Sequence, residues 1–490
     1  MQINKIAIAN RGEVAARIIY ACQELGIGSV LLHSECDTQT LAYELADETV
    51  CIGESNVKDS YLNIPANIQG ALSVGAEAIH PGFGFLSENA GFAKACKDNK
   101  LIFIGPSAEA IALFGDKISA KKLVEDLGHS TIPGYQGDNQ EDEYLLEQIP
   151  KIGLPIMIKV AGGGGGRGLR IVHNMEDAKE ALESAKREGI NAFASDKVFL
   201  EKYMDHAKHI EVQIFSDSQG KVFHLQEREC TIQRRHQKVV EEAPSAQLDS
   251  QLRDEILSAA VKIAEKANYK GAGTIEFLVQ DNEFYFLEMN TRLQVEHPVT
   301  ELCLGVDLVK AQINTAQNKP LFWDQEDLVA RGHAIECRIY AEDAFNKGMP
   351  STGKLGYCYY PMGPGRRFEI GFREGDEITS FYDSMIAKIV TWDENRPRAI
   401  QKMIRTLKDT IIFGVKTNIP YLLEIVNHPD FTSGEMTTQF IEKYFPNGLE
   451  DSDLSSLEKN VLKQASRNLA DASSASTHIP SPWEHSWEVR

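Results

Sequence analysis

Residues 288–296 read Glu-Met-Asn-Thr-Arg-Leu-Gln-Val-Glu, and His297 and Pro298 follow. Two carboxylates, two amides and a guanidinium within nine residues exceed what a structural strand needs. Glu288 and Asn290 are oxygen donors two apart, so on a strand they share a face. Arg292 offers a rigid fork that matches a planar oxyanion. Glu296 is placed to act as a base. The tenants that suit these groups are Mg²⁺, a nucleotide and a small carboxylate-like substrate.

The strand before this segment extends the same chemistry. Residues 273–279 and 283–290 flank Gln280-Asp281-Asn282, a turn-rich junction. A three-residue loop at 281–283 would pair 280 with 284 and, in the same register, Glu276 with Glu288. Their Cβ atoms would then lie about 5 Å apart. Like charges so close repel, and a shared Mg²⁺ removes the conflict. Phe277, Phe284, Phe286 and Leu287 predict a well-buried sheet, against the plainer reading of two glutamates on a wet face.

A glycine run, Gly162 to Gly166 and then Gly168, follows the strand predicted at 155–160. Gly163-x-Gly165-x-x-Gly168 formally fits a dinucleotide fingerprint, but that fingerprint opens a helix, and here a second strand at 169–172 follows. The Lys-Ser or Lys-Thr of a Walker loop is absent as well. What remains is a glycine-rich hairpin whose backbone N–H groups can close over phosphates. Lys159 precedes it and is within reach of the same phosphates; Lys117 would be a second cation. Gln233 to Lys238 is a cationic segment beside Val239 and Val240, and reads as an anion contact or a basic surface loop. His209, Glu201 and Lys202 are undecided by periodicity. Arg338 lies on a strand with a buried look, where a guanidinium needs a partner: a structural ion pair or an oxyanion.

The elements that must position these groups are alternating strands and helices. Strands are predicted at 5–9, 29–33, 78–80 and 101–104, with a helix near 13–25, a rhythm that gives a doubly wound parallel sheet. Gly12 and Gly82-Phe83-Gly84 fall just after strands, where such a sheet keeps its crevice. The expected units are 1–115 (an N-terminal α/β domain), 116–203 (a lid with the glycine loop and a helix at 175–188), 204–450 (mixed α/β, catalytic) and 451–490 (a polar helix and tail). With 490 residues, 42% hydrophobic and 25% charged, the chain has an ordinary globular composition. The net charge of −20 argues against nucleic acid or anionic membrane as partner. Eight scattered cysteines without a C-x-x-C pair suggest reduced thiols, and no leader or membrane-spanning run is seen, so a cytoplasmic enzyme is expected.

Taken together, Asn10-Arg11-Gly12-Glu13, His80-Pro81-Gly82 through Ser87-Glu88-Asn89, the glycine run, Gln233 to Lys238 and Glu288 to Pro298 resemble the biotin carboxylases of the ATP-grasp superfamily. The resemblance covers residues 5–444, and its long motifs stand in the right order. It implies a lid hinged over ATP and carboxylation of the biotin ureido nitrogen from bicarbonate and Mg²⁺-bound (or Mn²⁺-bound) ATP. Carried over by motif, Lys117, Lys159, Gly163, Gly164, Gly165, Gly166, Glu201, Lys202, His209, Gln233 and His236 would bind ATP. Glu276, Glu288 and Asn290 would hold the metal. Arg292, with Gln294 and Val295 beside it, would bind bicarbonate, and Glu296 would take its proton. Lys238 would neutralise the carboxyphosphate and Arg338 the enolate-like oxygen of biotin. Phe83 stands where the family usually has tyrosine, which removes a hydroxyl near the biotin side. No Ala-Met-Lys-Met biotinylation motif occurs, so the carrier protein and the carboxyltransferase subunit are expected on other polypeptides, with a homodimer favoured. Another ATP-grasp ligase is the nearest rival; it need not have both Glu296 and Arg338. A non-catalytic nucleotide-binding regulator would break a catalytic position, and none is broken here.

Overall fold

The structure is a computed structural model that describes residues 2–160, 168–193, 195–235 and 237–449. The sites assigned to Gly163, Gly164, Gly165, Gly166 and His236, and the tail at 451–490, lie outside the described residues.

The first unit is a parallel sheet of strands β1 (Lys5–Ile8), β2 (Gly28–Ser34), β3 (Glu48–Gly53), β4 (Ala78–His80) and β5 (Ile102–Phe103), in the order β3-β2-β1-β4-β5. Ile6, Ala7 and Ile8 are wholly buried, as expected of a parallel strand covered by helices on both faces. The order reverses between β1 and β4, and the loops after those strands meet at that switch point. Asn10 Nδ2 donates to the carbonyls of Pro81 and Phe83, each at 2.7 Å. The close approach requires Gly82, because a Cβ there would lie 2.8 Å from Asn10 Nδ2. Helix α1 (Gly12–Leu25) leaves β1 and ends at Gly26, whose φ of 68° is left-handed.

The lid is a second sheet, β6 (Gly134–Tyr135), β7 (Ile156–Val160), β8 (Leu169–Val172) and β9 (Val198–Lys202), in the order β6-β9-β7-β8. Helices α2 (Asp142–Ile152) and α3 (Met175–Phe193) cover it. Its core of Leu145, Ile149, Ile156, Ile158, Leu182, Val198 and Leu200 is separate from every other apolar cluster. A unit with its own core can swing as a body.

The largest sheet has eight antiparallel strands: β10 (Lys208–Ser216), β11 (Val222–Arg234), β12 (Gln237–Ala243), β13 (Gly271–Gln280), β14 (Glu283–Asn290), β15 (His333–Tyr340), β16 (Arg366–Ile370) and β17 (Met385–Asp393). Their order is β14-β13-β10-β11-β12-β15-β17-β16, so the C-terminal strands continue the sheet that carries the 288–296 segment. Helix α4 (Ser250–Lys266) packs on β10 and β11. Helix α5 (His297–Leu304) starts directly after Glu296.

The β13–β14 hairpin corrects one expectation. Its turn has two residues, Asp281 and Asn282, at φ 53° and 63°, and Gln280 pairs with Glu283 rather than with 284. Two left-handed residues make the tight turn that matches strand twist. A bulge between Glu276 and Phe277 then shifts the register by one, so Glu276 does face Glu288. The expected pairing is present, reached by a shorter turn plus a bulge.

Candidate active site

Register across the large sheet lines up charge. Glu288 faces Glu276 on β13, Glu276 faces Glu211 on β10, and Glu211 faces Arg228 on β11. Asn290, Thr274 and Gln213 form the next row. Arg228 has no exposed side-chain surface, and each of its nitrogens donates: Nε to Glu211 Oε1 at 2.5 Å, Nη1 to Gln213 and Thr300, Nη2 to Thr274 at 3.1 Å. This buried guanidinium anchors one end of the row.

Lys238 projects from β12 into the row. Its ammonium lies 2.5 Å from Glu211 Oε2, 2.7 Å from Glu276 Oε1 and 2.7 Å from Glu296 Oε1, one acceptor for each proton. Burial works against a charged lysine, but the three carboxylates hold its pKa well above the usual value. Glu296 has no exposed surface and takes a second cation, Arg338, at 2.9 Å. Burial alone would raise its pKa; Lys238, Arg338 and Arg228 together hold it well below the carboxylate range. Arg338 also donates to Glu241 at 2.6 Å. Burial pushes Glu241 up to about 7 against that guanidinium.

Around this cluster lies a cavity of about 550 Å³ between lid and sheet. The lid supplies Lys159 and Glu201, which form an ion pair, and Lys121 lies 2.6 Å from the same carboxylate. Lys117, at the start of the helix Lys117–Asp126, is 3.8 Å from Glu288. Ile132, Met157, Met204, Leu278 and Leu287 contribute apolar lining to the cavity. His209 is buried, with Nδ1 2.8 Å from Gln233 Nε2 and Nε2 3.0 Å from Glu276. Lys202 lines the cavity, but its ammonium is engaged by the carbonyls of Gly153 and Leu154 at 3.2 and 2.6 Å.

The 288–296 segment is braced from within. Arg292 donates to Glu88 Oε2 at 2.8 Å, Gln294 Oε1 at 2.9 Å and Asn290 Oδ1 at 3.0 Å. Asn290 Nδ2 donates to Glu276 at 2.7 Å. Every described residue assigned from the sequence, from Lys117 and Lys159 through Gln233, Gln294, Val295 and Arg338, borders this one cavity or the buried cluster beneath it.

Glu276, Glu288 and Asn290 fit a hard divalent cation. The Glu288 side chain is 42% exposed to the open cavity, yet desolvation among the surrounding residues and the facing Glu276 charge both raise its pKa, as in a like-charged pair that a cation would relieve. His209, Glu211 and Glu276 also bring ligand atoms within 4.8 Å of one another. There, however, the Lys238 ammonium already neutralises both carboxylates.

Some functional neighbours had escaped sequence reading. Glu211 stands two residues from His209 on one strand face, a signal that alternation could have given. Lys388 reaches the site from a distant segment, where no local pattern announces it, and Glu88, inside the 80–89 motif, was given no role of its own.

Comparison with known proteins follows the same layout. The family description "Biotin carboxylase, N-terminal domain" matches residues 2–111. "Carbamoyl-phosphate synthase L chain, ATP binding domain" matches 116–323, and "Biotin carboxylase C-terminal domain" matches 336–443. A biotin carboxylase of Nostoc is 47% identical over 90% of this chain and 99% of its own length. The methylcrotonoyl-CoA carboxylase subunit alpha of Dictyostelium discoideum is 45% identical over 90% of this chain and 63% of its own. A solved Campylobacter jejuni biotin carboxylase in complex with an ATP species superposes with a TM-score of 0.87 at 42% identity, covering 90% of this chain and 99% of that one. The biotin carboxylase domain dimer of Hydrogenobacter thermophilus 2-oxoglutarate carboxylase, solved with MgADP, ADP and bicarbonate, gives 0.86 at 43% identity over 91% of this chain and 98% of that one.

Proposed function

This chain belongs to the biotin carboxylase family, and we propose that it carboxylates biotin on a carrier protein, through carboxyphosphate, as the first half-reaction of an acyl-CoA carboxylase. The observation that carries the residue roles is the convergence of Lys238 and Arg338 on a buried base, Glu296, beneath the cavity that Arg292 lines.

ATP enters between lid and sheet. The apolar lining from Met157, Met204, Leu278 and Leu287 suits the base, with Glu201, His209 and Gln233 as polar partners. Lys117 and Lys159 face the phosphates. Glu276, Glu288 and Asn290 would hold Mg²⁺, whose chemistry is to draw negative charge off the phosphates. Arg292 clamps bicarbonate, with Gln294 and Val295 beside it.

The ion pairs of Glu296 explain how a base with so low a pKa gains strength. As substrates fill the cavity, Lys238 turns to the phosphoryl oxygens and Arg338 to the ureido oxygen of biotin. Glu296 then keeps its burial but loses its cations, so its proton affinity rises. It accepts the bicarbonate proton, an oxygen of the resulting carbonate forms a bond to the γ-phosphorus, and the bond to ADP breaks. Carboxyphosphate separates into CO₂ and phosphate. The phosphate takes the ureido N–H proton, and the nitrogen adds to CO₂. Arg338 stabilises the oxyanion that forms on biotin, and the closed lid keeps water out.

The carrier and a carboxyltransferase are the expected partners, and pairing of two copies is supported by the solved domain dimer of a relative. Among the described residues no helix is long and apolar enough to cross a membrane, and all eight cysteines are free thiols, which supports a cytoplasmic setting. ADP release that depends on bicarbonate and is stimulated by biotin tests the proposal. Turnover indifferent to both substrates would overturn it.

A further inference from the structure

We propose that Lys388 is a positioning residue for bicarbonate, holding the 292–296 segment in register from the C-terminal strand β17. The proposal rests on the catalytic reading above. Three successive carbonyls of that segment are held. Leu293 O accepts from Arg292 Nη1 at 3.2 Å, and Gln294 O lies 2.8 Å from His297 Nδ1. Both of those partners are local. The third carbonyl, of Val295, accepts from Lys388 Nζ at 2.7 Å, a residue 93 positions away.

Lys388 has no exposed side-chain surface. A lysine so placed is costly to desolvate and is kept only where acceptors meet it. Besides the Val295 carbonyl it has Glu13 Oε2 at 3.3 Å, from α1 of the first domain. Its ammonium also lies 5.9 Å from the centre of the Phe83 ring, in the loop after β4. On the sheet it is the direct strand partner of Arg338 on one side and of Glu369 on the other. One ammonium thus joins the first domain to the bicarbonate loop, from the strand position paired with Arg338.

The consequence is geometric. Fixing the Val295 carbonyl fixes the peptide plane between Val295 and Glu296. Glu296 is the residue before α5, and its side chain makes no capping bond to that helix. Its carboxylate is therefore aimed by backbone placement and by the two cations it meets. Without the Lys388 bond the plane is free to rotate, and both the base and the bicarbonate pocket lose their alignment.

The test measures ADP release by the full chain at saturating MgATP with free biotin, varying bicarbonate, alongside ATP affinity by equilibrium binding. Bicarbonate-dependent turnover of the unmodified protein first establishes the catalytic reading on its own. For Lys388→Met the expected result is a rise of about 10- to 100-fold in KM for bicarbonate, the factor that a lost charge-assisted hydrogen bond carries, with ATP affinity retained. Glu13→Gln preserves shape and removes the counter-charge. It is expected to raise KM for bicarbonate by a smaller factor and keeps the test open if Lys388→Met does not fold. Unchanged bicarbonate KM in the folded variants, or equal losses for bicarbonate and ATP, would overturn the proposal and leave Lys388 a structural ion-pair partner.

Discussion

Lys238 Nζ sits 2.7 Å from Glu296 Oε1, so the cation assigned to the developing phosphoryl charge rests on the base assigned to bicarbonate. Each restrains the other until substrate arrives. Replacing Glu296 by Gln keeps the shape and removes the proton acceptor. The expected outcome is a fall in bicarbonate-dependent turnover of about 10²- to 10⁴-fold, the usual worth of a general base. ATP binding should persist, which equilibrium binding of a fluorescent nucleotide can check. Turnover at the unmodified rate would remove Glu296 from the chemistry.

Lys238 is also structural. Lys238→Met leaves Glu211, Glu276 and Glu296 without their shared ammonium. A loss of about 3–5 kcal/mol in unfolding free energy is expected at neutral pH, as for breaking a buried ion pair. The deficit should shrink at pH 5, because carboxylates that have lost their cation take up protons more readily. Urea unfolding at the two pH values would show it; a deficit independent of pH would contradict the assigned charge network.

In the lid, burial would raise the Glu201 pKa, yet Lys159 and Lys121 bring it down from 4.5 to about 2. A depressed carboxyl stabilises the fold fully above its unfolded value and loses that contribution as pH falls from about 4.5 through about 2. The size of the effect is about 3 kcal/mol by linkage. Glu201→Gln should therefore destabilise the protein at neutral pH, and lose that disadvantage progressively as pH falls from about 4.5 to about 2. Thermal unfolding across this range is the check, and parallel curves for the two proteins would refute the pairing.

Phe83 borders the switch-point crevice, and Asn10 holds its carbonyl. Restoring the hydroxyl with Phe83→Tyr should lower KM for free biotin about three- to tenfold, the worth of one neutral hydrogen bond, while KM for ATP stays put. An unchanged biotin KM would place this position outside the acceptor site.

Much of the architecture was legible because its signals are local. The strand expected at 169–172 is β8, and the helix expected near 13–25 is α1. Strand β3 escaped notice because Glu48–Gly53 is only partly buried and has no clean apolar alternation. The hairpin shows how two features can cancel: a two-residue turn and a bulge together restore the Glu276–Glu288 pairing that a three-residue loop would give. Glu296 and Arg292 stood out in one dense segment. Lys388 and Arg228 did not, since single charged residues in apolar strands acquire meaning only when tertiary contacts supply their partners.

The most direct measurement is transfer of label from ¹⁴C-bicarbonate to biotin by the purified chain with MgATP. The account predicts labelled carboxybiotin in step with ADP formed, abolished by omission of ATP and by Glu296→Gln. ADP release without label on biotin, whether free or on a carrier, would contradict it.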